Sequence, residues 1–430
     1  MTDAILGDRI LDDLAERGLI HDSTDLDRLR ARLASGPITV YSGFDPTADS
    51  LHIGNLVPLL LLRRFQDAGH RPIALAGGAT GMIGDPSGRS DERSLLDDDT
   101  LDAHLQGIVP QLQRLLDFTP GPTCAELVDN RTWTAPVSVL DFLRDVGKHV
   151  TVNAMLAKES VKARVQSEDG ISFTEFSYML LQANDYAWLH QHLDCELQVG
   201  GSDQWGNITA GIDLIRRQAG HAVHGLTVPL ITRADGSKFG KSVDGAVWLS
   251  AERTSPYAFY QYWINIADAD VERFLLQLTL VPVAEARTVA SAHLADPGRR
   301  EGQRRVAHEL TTLVHGEAAA RAAAAASQLL FGGDPGEADA DAFAMLATEL
   351  AVTTVVPADL GSGIDAVDLL AGTGLVTSRS DARRSLEAGE VAVNGRRLAV
   401  GDSVATDDLR HGRYLLVRRG KKRYALVCPA

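Results

Sequence analysis

From Ile38 to Thr232 the chain repeats one pattern: a short run of strand-forming residues, a turn rich in glycine, aspartate or proline, then a longer stretch with apolar residues at helical spacing. Ile38–Tyr41 opens the series and is followed by Gly43, Asp45 and Pro46, then by the apolar stretch Leu51–Phe65. Pro72–Ala76 runs into the glycine-rich segment Gly77–Gly88, and further strands are expected at Leu127–Val128, Leu197–Val199 and Leu226–Thr232. This alternation constrains the fold more than any other feature. It predicts an α/β, Rossmann-like parallel sheet covered by helices, with ligands bound beyond the C-terminal ends of the strands.

At 430 residues the chain is too long for one core, since single cores stop growing near roughly 250 to 300 residues. The sheet pattern, with a helical segment over residues 3–34 before it, fills 1–250. After Ser250 the strand signal fades, and 251–350 reads as an α-helical domain ending in the alanine-rich run Ala318–Ala326. Residues 351–362 mix Val, Thr, Pro and Gly without helical periodicity and read as a linker. The remainder, 363–430, reads as a small α+β module, with Val376–Glu387 helical and a hairpin turning at Asn394-Gly395. No apolar run approaches the roughly 18 residues of a membrane span, and Met1–Arg9 lacks a secretory pattern, so a soluble cytoplasmic protein without a membrane partner is expected. Cys124, Cys195 and Cys428 are too scattered for a metal clip, which fits a reducing compartment.

The net charge of -15 argues against a polyanionic partner, but the average conceals a split. From Arg379 onward there are 12 Lys and Arg against 6 Asp and Glu, a local net of +6 that leaves -21 for residues 1–378. The basic C-terminal segment is therefore the first candidate for contact with nucleic acid.

Four segments carry chemistry. His52-Ile-Gly-Asn55 follows a strand and loop, so His52 and Asn55 share a face at a helix start, where phosphate is favoured, and Gly54 permits close approach of a base or sugar. Lys238-Phe-Gly-Lys-Ser242 sets two lysines around a glycine, suited to closing over a triphosphate and neutralising a departing pyrophosphate. Ser172-Phe-Thr-Glu175 has the spacing of a capping box, and in the helix it starts Tyr178, Gln182 and Asp185 fall on one stripe. An ordinary amphipathic surface helix also shows polar residues at that spacing, but Tyr178 and Gln182 suit an ammonium group and Asp185 a phenol proton. Gly200-Gly-Ser-Asp-Gln-Trp-Gly-Asn207 follows a strand, and Asp203 there can accept from ribose hydroxyls.

Taken together, His52-Ile-Gly-Asn55 and Lys238-Phe-Gly-Lys-Ser242 resemble the HIGH and KMSKS signatures of class I aminoacyl-tRNA synthetases, with Asn in place of the final His. Tyr41-Ser-Gly-Phe-Asp-Pro-Thr47, Phe173–Asp185 and Gly200–Asn207 are similar to the tyrosyl-tRNA synthetases of bacterial type. The resemblance implies a tyrosine-tRNA ligase that forms tyrosyl-adenylate from ATP, releases pyrophosphate and transfers tyrosine to the 3' end of tRNA(Tyr). It further implies that Tyr41 and Asp185 hold the substrate phenol, that Asp85, Tyr178 and Gln182 hold its ammonium, and that Gln204 lies near its carboxyl group. Gly43, Asp45, His52, Gly54, Asn55, Asp203, Lys238 and Lys241 would bind ATP, with Thr47, His52, Lys238, Lys241 and Ser242 strengthening their grip as pyrophosphate leaves. Arg89 and Arg93 are candidates for pyrophosphate contact; Arg89 stands where many relatives have lysine.

Magnesium would arrive with the nucleotide, because the aspartates lack the spacing of a dedicated protein metal site. The segments Ser378–Arg384, Gly389–Gly395 and Arg418–Arg423 resemble the ribosomal S4-type RNA-binding module, which implies tRNA as partner; the resemblance also implies a homodimer, with residues 136–165 as the interface. Two alternatives remain at this point, a tryptophanyl-tRNA synthetase, which Tyr41 and Asp185 disfavour, and a non-catalytic RNA-binding paralogue, which the intact motifs disfavour.

Overall fold

Five strands build the expected sheet: β1 (Thr39–Phe44), β2 (Arg71–Ala76), β3 (Glu126–Asp129), β4 (Cys195–Gly201) and β5 (His224–Val228). A computed structural model describes residues 9–87, 96–165, 170–232, 234, 241, 242 and 245–430. The strand order is β3-β2-β1-β4-β5, and every neighbouring pair is parallel. The order reverses between β1 and β4, so their C-terminal ends diverge into the crevice where such sheets bind ligands. β1 and β2 are buried along almost their whole length, as in a sheet covered on both faces.

Helices cover the sheet. α3 (Leu56–Asp67), which follows α1 (Ile10–Glu16) and α2 (Leu26–Ala34), buries Leu56, Val57, Leu59, Leu60, Leu61, Leu62 and Phe65 and packs on β1, β2 and β4. α4 (Asp98–Leu115) follows β2; α5 (Phe173–Leu193) and α6 (Trp205–Ala219) flank β4 and pack on one another. Ser172 caps α5 by accepting from the Glu175 backbone N–H at 3.1 Å, and the Glu175 carboxylate meets Arg164 at 2.8 Å in a buried ion pair.

Three local expectations change. Residues 3–34 were expected to be helical throughout, yet the chain leaves α1 at Gly18, whose φ is 66°, and runs antiparallel beside β5 before Asp25 caps α2. Thr227 N–H donates to Asp22 O at 2.8 Å and Thr24 N–H to Gly225 O at 3.0 Å, so backbone pairing displaces helix here. The stretch from Leu51 also begins extended: Ile53 N–H donates to Val247 O at 3.0 Å and Leu249 N–H to Leu51 O at 2.8 Å. Finally, β5 stops at Val228, short of Thr232.

The chain divides into two compact units, Met1–Thr254 with Ile266–Gly302, and Ser255–Asn265 with Gln303–Ala430. The helices Val271–Leu278 and Val283–Ala295, expected in a domain of residues 251–350, thus belong with the sheet. In the second unit, β6 (Val352–Val355), β7 (Val391–Val393), β8 (Arg396–Arg397), β9 (Leu415–Arg419) and β10 (Arg423–Pro429) form a sheet ordered β8-β7-β9-β10-β6. Asn394 and Gly395 both take positive φ, as a type I′ turn requires. The segment 351–362, read as a linker, contributes β6, which pairs in parallel with β10. Phe343 and Leu346 share a core with Tyr414, Leu416 and Leu426, so no break in packing falls at 351–362.

Candidate active site

Of the residues singled out from the sequence, Asp45, Asp85, Tyr178, Gln182, Asp185 and Gln204 gather beyond the C-terminal ends of β1 to β4. Tyr41 points from β1 into a core with Tyr186, the ring centroids 5.3 Å apart, and its hydroxyl is buried without a partner among the described residues. Burial, and then the nearby charge of Asp185, push that phenol well above its ordinary pKa. Asp185 is 2% exposed. Its carboxylate accepts from Asn130 Nδ2 at 2.9 Å and from Trp133 Nε1 at 2.8 Å, both supplied by the turn and short helix after β3. Burial raises the pKa of Asp185 to about 7 against the opposing pull of these two donors. The result is a costly buried carboxyl group beside an unpaired phenol hydroxyl, an environment that complements another hydroxyl group and penalises an apolar substitute.

A chain of hydrogen bonds ties this pair to the neighbouring strand ends. Asn130 Nδ2 also donates to Thr80 Oγ1 at 3.0 Å, Thr80 Oγ1 to Asp45 Oδ1 at 2.7 Å, and Tyr178 Oη to Asp45 Oδ2 at 2.8 Å. Asp45, expected at the nucleotide, is therefore also the brace between Tyr178 and Thr80. Gly77 is fixed by this brace, because a Cβ there would sit 2.1 Å from Asp45 Oδ1.

A second polar cluster surrounds Asp85. Asp85 accepts from Gln204 Nε2 at 2.6 Å and from the Ser87 N–H at 2.9 Å. Gln182, Gln204 and Asn207 interlock around it: Asn207 Nδ2 donates to Gln182 Oε1 at 3.0 Å, and Gln182 Nε2 to Gln204 Oε1 at 3.3 Å. Asp203, beside Gln204, has its pKa raised by burial.

The first signature is ordered by its own residues. His52 Nδ1 accepts from the Gly54 N–H at 3.0 Å, and Asn55 Oδ1 accepts from the His52 N–H at 3.1 Å. An accepting Nδ1 assigns the neutral ring's proton to Nε2, a donor suited to a phosphate oxygen. Gly54 carries a requirement not foreseen: a Cβ there would sit 2.8 Å from His52 Cε1. Thr47 and Gly43 are exposed at the mouth of β1. Arg89, Arg93 and Lys238 lie outside the described residues, and for Lys241 and Ser242 only the backbone is described, in a two-residue strand paired with Gly245–Ala246. No group of three or more His, Cys, Asp or Glu able to hold a metal ion occurs among the described residues.

The family model described as tRNA synthetases class I (W and Y) matches residues 33–332, and the one for the tyrosine–tRNA ligase SYY-like C-terminal domain matches 351–427. The tyrosine–tRNA ligase of Opitutus terrae is 52% identical over 97% of this chain and 99% of its own, and that of Nocardia farcinica 54% identical over 97% and 98%. The chain belongs to the tyrosine–tRNA ligase family. Among solved structures, a C-terminally truncated mitochondrial tyrosyl-tRNA synthetase of Aspergillus nidulans matches with a TM-score of 0.69 and 31% identity, covering 75% of this chain and 94% of its own.

Sequence reasoning missed Asn130, Trp133, Thr80 and Asn207 as site residues in this family member. Asn207 closed a quoted motif and was within reach of the sequence. The other three lie in segments without a chemical motif, and they become relevant only once the parallel register of β2 and β3 brings residues 77–80 beside 130–133.

Proposed function

We infer that this chain is an ATP-dependent tyrosine–tRNA ligase that activates L-tyrosine as tyrosyl-adenylate and transfers it to tRNA(Tyr). The observation that carries the reading is the buried pair of Tyr41 hydroxyl and Asp185 carboxylate, chemistry selective for a phenol. It favours tyrosine over tryptophan or phenylalanine, and the intact amide and carboxylate cluster around Asp85 argues against a decayed, non-catalytic site.

In this reading Asp85, Tyr178 and Gln182 hold the substrate ammonium and Gln204 its carboxyl group. That carboxylate attacks the α-phosphorus of ATP; the bond to the pyrophosphate oxygen breaks, and tyrosyl-adenylate forms. A terminal ribose hydroxyl of tRNA then displaces AMP. No covalent enzyme intermediate is needed, so the residues work by positioning and charge stabilisation. Gly43, Asp45, Gly54, Asn55 and Asp203 bind the nucleotide, while Thr47, His52, Lys238, Lys241 and Ser242 stabilise the departing pyrophosphate, with Arg89 and Arg93 in support. Magnesium travels with ATP.

The basic C-terminal module holds tRNA. A homodimer is supported by a cluster of exposed apolar side chains around residues 136–165, among them Val139 at 74% and Leu140 at 79% exposure. A cytoplasmic location accords with the substrates, and no helix among the described residues is long and apolar enough to cross a membrane. The test is tyrosine-dependent exchange of labelled pyrophosphate into ATP, run beside phenylalanine and tryptophan. Exchange with tyrosine alone, abolished in Asp185→Ala, is the expected result; exchange driven by tryptophan, or none, overturns the reading.

A further inference from the structure

The loop that presents His52 is gripped from beneath by α4. His104 Nδ1 lies 2.9 Å from Pro46 O, Gly107 backs onto Asp49, and Gln111 reaches Ser50 and Leu51, three residues spaced along one helix face. A Cβ on Gly107 would sit 2.0 Å from the Asp49 carbonyl oxygen, so helix and loop backbones touch. Glycine disfavours a helix interior, and this contact is a reason to keep it there.

Gln111 uses both ends of its amide. Its Oε1 accepts from the Leu51 N–H at 2.9 Å, and its Nε2 donates to Ser50 Oγ at 3.2 Å and to its own helix at Gly107 O at 3.1 Å. Ser50 is buried, and its hydroxyl donates to Leu51 O at 2.8 Å while accepting from the Ser250 N–H at 3.0 Å. Ser250 ends the segment whose Val247 and Leu249 pair with Ile53 and Leu51, and that segment follows the Lys238–Ser242 loop directly. One node therefore touches α4, the His52 loop and the arm leading out of the lysine loop.

We propose that Gln111 and Ser50 are positioning residues that set His52 and the segment 247–250 in a common register, so that the first phosphate-binding signature and the stretch that follows the second share one anchor. Neither residue touches substrate. The proposal rests on the reading that His52 and the lysine loop act on ATP. Breaking a partly buried hydrogen-bond network shifts the groups it supports, and a displacement of about 1 Å at a reacting group costs up to roughly 100-fold in rate.

The test uses the full chain with Gln111→Leu and, separately, Ser50→Ala, measuring pyrophosphate exchange per active site titrated by the burst of adenylate formation. We expect kcat per site to fall about 10- to 100-fold, with equilibrium tyrosine binding changed less than about twofold. In the His52→Ala background the further effect of Gln111→Leu is expected to shrink to about twofold or less, because coupled positions are not additive. A purely structural role would lower the number of titratable sites and leave kcat per site unchanged, which overturns the proposal, as would full additivity with His52→Ala. If His52→Ala itself exchanges pyrophosphate at the wild-type rate, the reading of the signature fails instead.

Discussion

Asp185→Asn is expected to exchange stability at acid pH for stability at alkaline pH. The folded state holds the Asp185 proton up to about pH 7, whereas an ordinary carboxyl group releases it near 3.8. Between these values the folded chain binds more protons than the unfolded one, so this residue makes stability fall as pH rises. By pH 8 the accumulated cost is roughly 4 kcal/mol. The amide of Asp185→Asn does not ionise and escapes it. It can accept from only one of Asn130 and Trp133, however, and turns an NH₂ toward the other donor, a loss of about 1 to 3 kcal/mol at every pH. The variant is therefore expected to be less stable than the wild type at pH 4 and more stable by about 1 to 3 kcal/mol at pH 8, the two profiles crossing at about pH 5. Urea unfolding without tyrosine, followed by tryptophan fluorescence from pH 4 to 8, reads this directly. A difference between the two proteins that stays constant across that range would refute the assignment of a buried, proton-holding Asp185. Tyrosine, by donating its hydroxyl to the carboxylate, should bind the wild type more tightly at pH 8 than at pH 5.5.

Tyr41→Phe removes a buried hydroxyl without a described partner and should stabilise the free protein by about 1 kcal/mol, while narrowing the preference for tyrosine over phenylalanine in exchange assays by tenfold or more, on the order of a lost buried hydrogen bond. Leu140→Glu places a charge in the exposed apolar cluster, and sedimentation velocity should show a shift from dimer to monomer at micromolar protein; unchanged sedimentation would remove that face from the interface. Neutralising the exposed Arg383, Lys421 and Lys422 to Gln should weaken tRNA charging, raising the KM for tRNA and flattening its dependence on salt, with pyrophosphate exchange left at the wild-type rate.

The sheet was readable because its strands are buried on both faces, so Val40, Ile73, Leu75 and Val199 stand in short apolar runs between turn residues. The site motifs were readable for a related reason: each follows directly on a strand end. What escaped the sequence depended on partners far along the chain. The residues between α1 and α2 extend because β5 offers them a backbone edge 200 residues later. Val352–Val355 reads as a linker because it is half exposed and short, and its strand character comes wholly from β10. Asn130 and Trp133 carry no motif, and their meaning comes from the carboxylate of Asp185 some 50 residues away.

The pairing of β6 with β10 has a consequence for synthesis. About 70 residues separate the two strands, and at roughly 5 to 20 residues per second the ribosome takes several seconds to supply the second. During that interval β6 has no neighbour, and the apolar faces of Phe343 and Leu346 wait for Leu416 and Leu426. The sheet unit can fold as soon as residue 302 has emerged, whereas the second must remain open until residue 429 is made. A pause or premature stop between 356 and 423 would thus release a chain with a finished catalytic unit and an unpaired, adhesive strand.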